Sequence, residues 1–515
     1  MRFNNLGEKF SYIAHKFGKN NSIIIGNKKY SFSYLDKKSN IFANWLMQNN
    51  FEVGDRICLS SKKEIEIYIS IIGCIKSGVI YTILDRKLPK VRIKKIIDKV
   101  NPKIIIADEI LSNSLEKKAR KNSISLKRLT KILISKRNQN SNFSKPNVIS
   151  SSIAYLMFTS GSTGEPKGVL ISHGQVLNFS NWCMKEYNID NTKITSNLNS
   201  LFFDNSIFDI FGCLFNGACV IPFSRSEIID AKNLIKKVKE KKINIWFSVP
   251  SLLIYLMNFC SSKDLKFKHL KKIIFGGEGF PKGSLKKLFY AVGKKIKLYN
   301  VYGPTECTCI CSSYQINNND FSKNEIRRFA PLGKNLSENF KYLILDKNKK
   351  IVKNNTIGEL YIGGDNVGKG YYKFAEETNQ KFVQNPLHND YLDIFYKSGD
   401  LVYKDKKNSL IYFASRNDNQ IKFQGYRIEL DEIENFISSI KKVKENAVTY
   451  GKKNSNDEIT CWIVHNSNLN DIKLSLSKKI PAYMMPHKYI EIEKNLPKNT
   501  NGKVNRNILK KNYYD

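Results

Sequence analysis

The chain has 515 residues, 41% of them hydrophobic and 25% charged, an ordinary globular composition. It is long enough for roughly three domain-sized units and for a core that needs no disulfide staples, which excludes a disulfide miniprotein, a fibre and a disordered tail. Lys plus Arg number 85 against 46 Asp plus Glu, a net charge of +39. Lysines recur from Lys9 to Lys511 among many Asn and Ile, so the charge reads as a solvated surface rather than a nucleic-acid stripe with aromatic neighbours. No nucleic-acid partner is expected, whereas a basic surface would speed the docking of an acidic one.

In chain order, Met1–Phe10 is polar and mixed, with no secretory leader. Tyr34–Asn49 is an amphipathic helix with Leu35, Ile41, Phe42, Trp45 and Leu46 on its apolar side. Then come a strand at Ile57–Ser60, a helix at Glu64–Lys76, a buried strand at Val79–Leu84, a helix at Val91–Val100 and a strand at Ile104–Ala107. Such alternation predicts parallel sheet covered by helices. The apolar run Ile67–Ile75 is too short to span a bilayer and reads as a buried helix. Ser135–Pro146, rich in Asn, Ser and Lys, reads as a surface linker. The pattern resumes with a strand at Ile153–Phe158, a helix at His173–Lys185, strands at Ile243–Val249, Leu270–Phe275 and Lys295–Tyr299, and a helix at Ser251–Phe259. Past Asp418 the style changes: helix Glu429–Ile440, strands Ala447–Tyr450 and Glu458–His465, and helix Asn470–Ile480 form a small α+β unit. Ten cysteines sit mostly in apolar stretches such as Ile71–Ile75 and Phe211–Val220, which fits free thiols in a reducing, cytoplasmic setting.

The sharpest segment is Phe158-Thr159-Ser160-Gly161-Ser162-Thr163-Gly164-Glu165-Pro166-Lys167-Gly168. Its glycines let backbone amides turn toward one point, and its hydroxyls and lysine add donors, so it suits phosphate oxygens. It is not a Walker loop, because no Gly-Lys-Ser/Thr closes it. Further segments follow in order: Tyr302-Gly303-Pro304-Thr305-Glu306, Gly358-Glu359-Leu360-Tyr361-Ile362-Gly363-Gly364, Tyr396-Lys397-Ser398-Gly399-Asp400, Arg416-Asn417-Asp418-Asn419-Gln420-Ile421-Lys422-Phe423-Gln424-Gly425-Tyr426-Arg427, and Asn501-Gly502-Lys503. Together, from about Tyr30 to Arg506, they make the chain resemble the adenylate-forming enzymes: acyl-CoA synthetases, luciferases and amino-acid adenylation domains.

The resemblance implies an α/β fold with a large core domain, 1–417, of mostly parallel helix-covered sheets. A small mobile α+β domain, 418–515, follows it and turns about a hinge at Asp418 between two half-reactions. It also implies a reaction that joins a carboxylate to the α-phosphate of ATP and expels pyrophosphate. Two anions must meet, so such a site needs cations and fixed dipoles rather than a nucleophilic side chain. Lys503 is then the catalytic bridge between carboxylate and α-phosphate, and Glu306 the carboxylate that orients Mg²⁺. ATP falls to Thr159, Ser160, Gly161, Ser162, Thr163, Gly164 and Lys167 of the loop, and to Asn300, Val301, Tyr302, Gly303, Pro304, Thr305, Asp400 and Arg416. Gly425 would help to form the channel for a thiol-bearing arm. Ser415 stands where the family usually has Gly, and a backbone needing positive φ would be strained there.

Asp204, in Leu201-Phe202-Phe203-Asp204-Asn205-Ser206-Ile207-Phe208-Asp209, separates substrate classes. A carboxylate in an aromatic setting is costly unless paired. In amino-acid adenylation domains the matching Asp pairs with the substrate ammonium; the alternative is a helix N-cap. Phe208, Ser248, Gly276, Cys309 and Ile310 are expected to line the same pocket. Phe247-Ser248-Val249-Pro250-Ser251 and Phe275-Gly276-Gly277-Glu278 bring the chain closest to stand-alone D-alanine:carrier-protein ligases, which usually have Cys where Gly276 stands, so added pocket volume is expected there. Alternate cysteines in Cys307-Thr308-Cys309-Ile310-Cys311 would share one face of a strand, but lack the spacing of a structural zinc site. The chain ends twelve residues after Lys503, so the acceptor is expected to be a separate phosphopantetheinylated carrier protein. The alternative is an acyl-CoA synthetase acting on a non-amino acid.

Overall fold

The computed structural model describes residues 3–135, 146–161, 164–322, 329–334, 336–453, 456–499 and 504–514; residues 136–145 of the predicted linker lie outside them. Two sheets are the helix-covered layers that the alternation predicts. One has six strands in the order Ser123–Ser125, Ile104–Ala107, Arg56–Ser60, Ile80–Leu84, Ile153–Thr159 and Lys167–Ser172. All its pairs are parallel except the last, a hairpin. The other has eight strands, with Lys297–Tyr302, Lys272–Gly276, Ile245–Ser248, Ile194–Asn197 and Cys219–Pro222 as its parallel centre. Ile273, Ile274 and Phe275 are all buried, as befits strands covered on both faces.

The helices follow local chemistry. Ser31 caps Phe32–Gln48 by accepting from the Tyr34 amide, and Gly78 at φ 72° ends Ile65–Ser77, a left-handed stop that suits glycine. Helix Ile65–Ser77 is buried over nearly its whole length. Among the described residues no helix is long and apolar enough to cross a membrane.

The third sheet departs from the sequence reading. Lys341–Leu345, Gly358–Gly363, Ile394–Lys404, Phe382–Gln384 and Ile411–Arg416 pair antiparallel throughout. Ser415 lies in this sheet opposite Leu401 and is not among the positive-φ residues. The strain expected of a serine there is absent, because its φ is not positive, although the ladder shifts register beside it, between Leu401 and Val402. After Arg416 come a hairpin, Gln420–Phe423 with Tyr426–Glu429, helix Leu430–Ser438, and a three-stranded sheet of Val443–Lys453, Asn456–His465 and Lys488–Glu491. This segment has a core of its own around Ile428, Ile433, Val448, Ile459 and Ile463.

Candidate active site

A cavity of about 650 Å³ opens where the parallel strands of the eight-stranded sheet end. Asn199 and Ser200, Phe223 and Ser224, Ser248 and Val249, Gly277, and Gly303 to Thr305 each follow one of those strands and line it. Ligands of open α/β sheets bind at such carboxyl ends. Lys422, Gly425 and Arg427 of the 420–429 hairpin close the opposite side.

At one end stands Asp204. Its Oδ2 accepts from Thr305 Oγ1 at 2.5 Å, and it makes no side-chain capping bond to the helical turn behind it. Burial pushes its carboxyl above the usual range, while the Thr305 hydroxyl and the Lys422 ammonium pull it down. Ser248 Oγ accepts from Trp246 Nε1 at 2.8 Å and donates to the Val249 carbonyl. The other expected pocket residues lie behind the wall. Phe208 is fully buried, its ring edge-on to those of Tyr187 and Phe247. Cys309 and Ile310 are buried too, and none of these three, nor Gly276, lines the cavity.

The extra volume expected at Gly276 is not there. Gly276 pairs with Val301 in the parallel sheet, and a Cβ on Gly276 would stand 2.6 Å from both the side chain and the carbonyl oxygen of Val301. Val301, expected near ATP, fills that space from within the core. The cysteine run is not a strand either. A 3₁₀ turn, Thr305–Cys307, leads into Thr308 at φ 55° and Cys309 at φ 76°, so the three cysteines share no strand face.

At the other end the acidic groups are already satisfied. Asp400 accepts from Tyr302 Oη at 2.6 Å and from Arg416 Nη1 at 2.5 Å. Arg416 also grips Asp418 with Nε and Nη2, both at 2.7 Å. The Asn300 amide donates to the Pro331 carbonyl, and the Lys422 ammonium lies over the Tyr302 ring, 5.4 Å from its centre. Burial lowers the Lys422 ammonium's proton affinity and Asp400 raises it.

Glu306 is fully buried. Arg427 Nη1 reaches both its oxygens, at 2.7 and 3.0 Å, and Tyr371 Oη donates at 2.7 Å. Burial would raise this carboxyl, but the Arg427 charge and the Tyr371 hydrogen bond outweigh it and hold it below the usual range. A divalent ion on Glu306, which the resemblance implies, does not fit this arrangement: the Arg427 guanidinium stands where that cation would stand. Among the described residues no cluster of three or more His, Cys, Asp and Glu side chains offers a metal site.

The glycine-rich segment is the tip of the hairpin that joins Ile153–Thr159 to Lys167–Ser172. Thr159 and Ser160 line the cavity, and Ser160 Oγ donates to the Arg427 carbonyl at 2.7 Å. The Gly164 amide closes back on the Gly161 carbonyl. Lys167 begins the return strand, 4.0 Å from Glu377. Ser162 and Thr163 lie outside the described residues.

The family model described as AMP-binding enzyme matches residues 10–372. The chain belongs to the AMP-binding enzyme family. It is accordingly an ATP-dependent, AMP-forming ligase. Among its relatives, bacitracin synthase 1 of Bacillus licheniformis is 31% identical over 98% of the chain, and surfactin synthase subunit 3 of Bacillus subtilis (strain 168) is 29% identical over 93%. The chain covers only 9% and 36% of those two proteins. Among solved structures, an artificially fused adenylation–PCP di-domain, NpsA-ThdA from Klebsiella oxytoca, superposes with a TM-score of 0.82 at 20% identity, covering 95% of this chain and 94% of that one. The o-succinylbenzoate CoA synthetase of Bacillus subtilis does so with a TM-score of 0.83 at 19% identity, covering 99% of each. At such identities these two likenesses show the fold.

Some residues of this AMP-binding enzyme that meet at the cavity had no role in the sequence reading. Arg427 and Lys422 stood inside a quoted motif, but a guanidinium reaching a glutamate 121 residues away leaves no local signal. Glu278 accepts from the Ser251 amide and, at 2.9 Å, from the Gly425 amide. Gly425, at φ 79°, lies so close to Val249 that a Cβ would come within 2.5 Å of it, so only glycine brings the hairpin this near. Arg92 pairs with the enclosed Glu432. Lys503 lies outside the described residues. Nearby, Lys498 and Val504 form a bridge, and Lys498 pairs with Glu445. Among the described residues, none beyond Tyr483 lines the cavity.

Proposed function

We propose that this AMP-binding enzyme activates an amino acid. A substrate carboxylate oxygen attacks the α-phosphorus of ATP, the bond to the β-phosphate oxygen breaks, and pyrophosphate leaves with its electron pair. The resulting aminoacyl-AMP is then attacked by the phosphopantetheine thiol of a separate carrier protein. The thioester forms as AMP departs, as in D-alanine-type ligases or nonribosomal-peptide adenylation enzymes. The observation that carries this reading is Asp204: a half-buried cavity carboxylate with a hydroxyl partner and, among the described residues, no side-chain cation within ion-pair distance. Covering such a group with substrate is costly unless a cation arrives with it, and a substrate ammonium is one. The similarity to bacitracin and surfactin synthases supports the same reading.

In this reading Thr159, Ser160, Gly303, Pro304, Thr305, Asp400 and Arg416, which line the cavity, hold the nucleotide with Lys167. Lys503 bridges the two reacting groups. Residues 418–515 turn as a unit about Asp418. The arrangement described here, with the 420–429 hairpin at the cavity and Gly425 against Val249 and Glu278, suits the transfer half-reaction. Mg²⁺ at Glu306 belongs to an arrangement in which Arg427 has withdrawn. The ten cysteines, all buried and unpaired, fit a reducing compartment such as the cytoplasm.

The superposition with a CoA synthetase keeps a second reading, an acyl-CoA synthetase for a non-amino acid. The deciding experiment is ATP–pyrophosphate exchange over a panel of L- and D-amino acids, fatty acids and aryl acids. Exchange with one or a few amino acids is expected. Exchange confined to acids without an amine establishes the second reading, and silence across the panel rejects both.

A further inference from the structure

Lys63 lies in the loop between strand Arg56–Ser60 and helix Ile65–Ser77, on the cavity wall. Its ammonium donates to three carbonyls: Asn197 at 2.8 Å, Leu198 at 3.2 Å and Phe223 at 3.1 Å. These lie at the ends of two neighbouring parallel strands, Ile194–Asn197 and Cys219–Pro222, in register at Asn197 and Pro222. Three protons meet three acceptors, so nothing is left for a ligand.

The same strand end is tied again. Tyr68 Oη donates to Asn197 Oδ1 at 2.7 Å. Asn197 Nδ2 donates to Asp209 Oδ2 at 2.7 Å, and Asn199 Nδ2 reaches that oxygen at 3.3 Å and the Phe247 carbonyl at 3.2 Å. The segment from Asn197 to Asp209 is thus pinned at both feet, with Asp204 between them. Phe247, the last anchor, precedes Ser248. Burial draws the Lys63 ammonium below its usual range and pushes the Asp209 carboxyl above its own. Apolar residues would often hold a core at lower cost, which points to placement rather than stability as the return.

We propose that Lys63 is a positioning residue for amine recognition. It ties the Asn197–Leu198 foot of the segment to Phe223, and Asn197 and Asn199 pass that hold on to Asp209, so that the Asp204 carboxylate meets the substrate ammonium; Lys63 touches no substrate itself. The inference rests on the reading of Asp204 as the ammonium partner. It differs from plain scaffolding in what it predicts, because a misplaced Asp204 weakens the amine and leaves the nucleotide alone.

The test is steady-state pyrophosphate exchange with the full chain, wild type, Lys63→Met and Tyr68→Phe. The probe pairs are D- and L-alanine against propionate, L-leucine against 4-methylpentanoate, and L-phenylalanine against 3-phenylpropionate. The preference is the ratio of kcat/KM for an amino acid to that for its deaminated partner. In Lys63→Met it should fall at least about ten-fold, since a shift of ~1 Å costs up to ~10²-fold, while the KM for ATP stays within about two-fold of wild type. Tyr68→Phe should move the ratio the same way by less. A folded Lys63→Met that keeps the wild-type ratio overturns the proposal, as does an equal loss on both members of every pair. Should Lys63→Met not fold, an unchanged ratio in Tyr68→Phe overturns it instead. A wild type with no preference for the amine defeats the Asp204 reading before any variant is made.

Discussion

The two ends of the cavity are built differently. Around Asp204 and Ser248 the neighbours are hydroxyls, an indole and backbone carbonyls, all supplied by strand ends of one sheet and its loops. Around Asp400 and Glu306 each carboxylate has a tyrosine hydroxyl and a guanidinium, and both arginines come from the stretch 416–427 at the junction with the C-terminal segment. The first end holds a carboxylate with a hydroxyl partner and, among the described residues, no cation within ion-pair distance. The second is a set of acids already paired with the chain's own cations.

The largest test of this contrast is Lys503→Ala. If the nucleotide end is completed by a lysine brought in from the C-terminal unit, the variant loses at least ~10²-fold in pyrophosphate exchange, the scale of one preorganised donor. Near-normal exchange would mean that the fixed part suffices. Next is Asp204→Ala, which removes the carboxylate proposed to pair with the substrate ammonium. The kcat/KM for the amino acid should fall about 10²-fold, with the deaminated acid nearly unaffected.

Arg427→Ala sharpens the other end. The Glu306 carboxyl is held below its unfolded value of 4.5. The stability it contributes is complete above that value and is lost as pH falls through the lower folded one. Removing Arg427 should cost about 2 kcal/mol near neutrality, reduced from a fully buried pair because Arg427 is partly exposed. Thermal unfolding followed from about pH 3 to 7 should show the acid-side loss flattened in the variant. The smallest effect is expected of Ser415→Gly. Because Ser415 does not stand at positive φ, restoring the family's glycine should destabilise by roughly 0.5–1 kcal/mol rather than relieve strain. A raised melting temperature would contradict the strand geometry.

Much of the fold was legible because the buried parallel strands and the central helix Ile65–Ser77 are largely apolar. Ile67–Ile75 and Ile273–Phe275 announce themselves. The antiparallel third sheet did not, since a strand such as Lys341–Leu345 has only five residues and passes from an exposed lysine to a buried end, too short a stretch to show a period. At the site, motif residues reached the cavity where they follow a strand end, as Thr305 and Ser248 do. Gly276 sits next to such a position, and Phe208, Cys309 and Ile310 follow a few residues after one; all four fell behind the wall. Whether a residue near a strand end faces cavity or core depends on what packs across from it. For Gly276 that is Val301, and for Phe208 it is the rings of Tyr187 and Phe247.

The helix Lys90–Val100 has a role on both sides of any domain movement. Lys95 and Lys99 hold Glu165 at the hairpin tip, while Arg92 holds Glu432 of the C-terminal segment, one of whose oxygens is enclosed without a donor. In the proposed turn of the 418–515 unit, Glu165 keeps Lys95 and Lys99 while the Arg92–Glu432 pair opens, and two ions that had forgone hydration regain it. A clasp of buried charge is therefore a spring as much as a fastener: the solvent rewards its opening, and an equally large greasy contact would resist it.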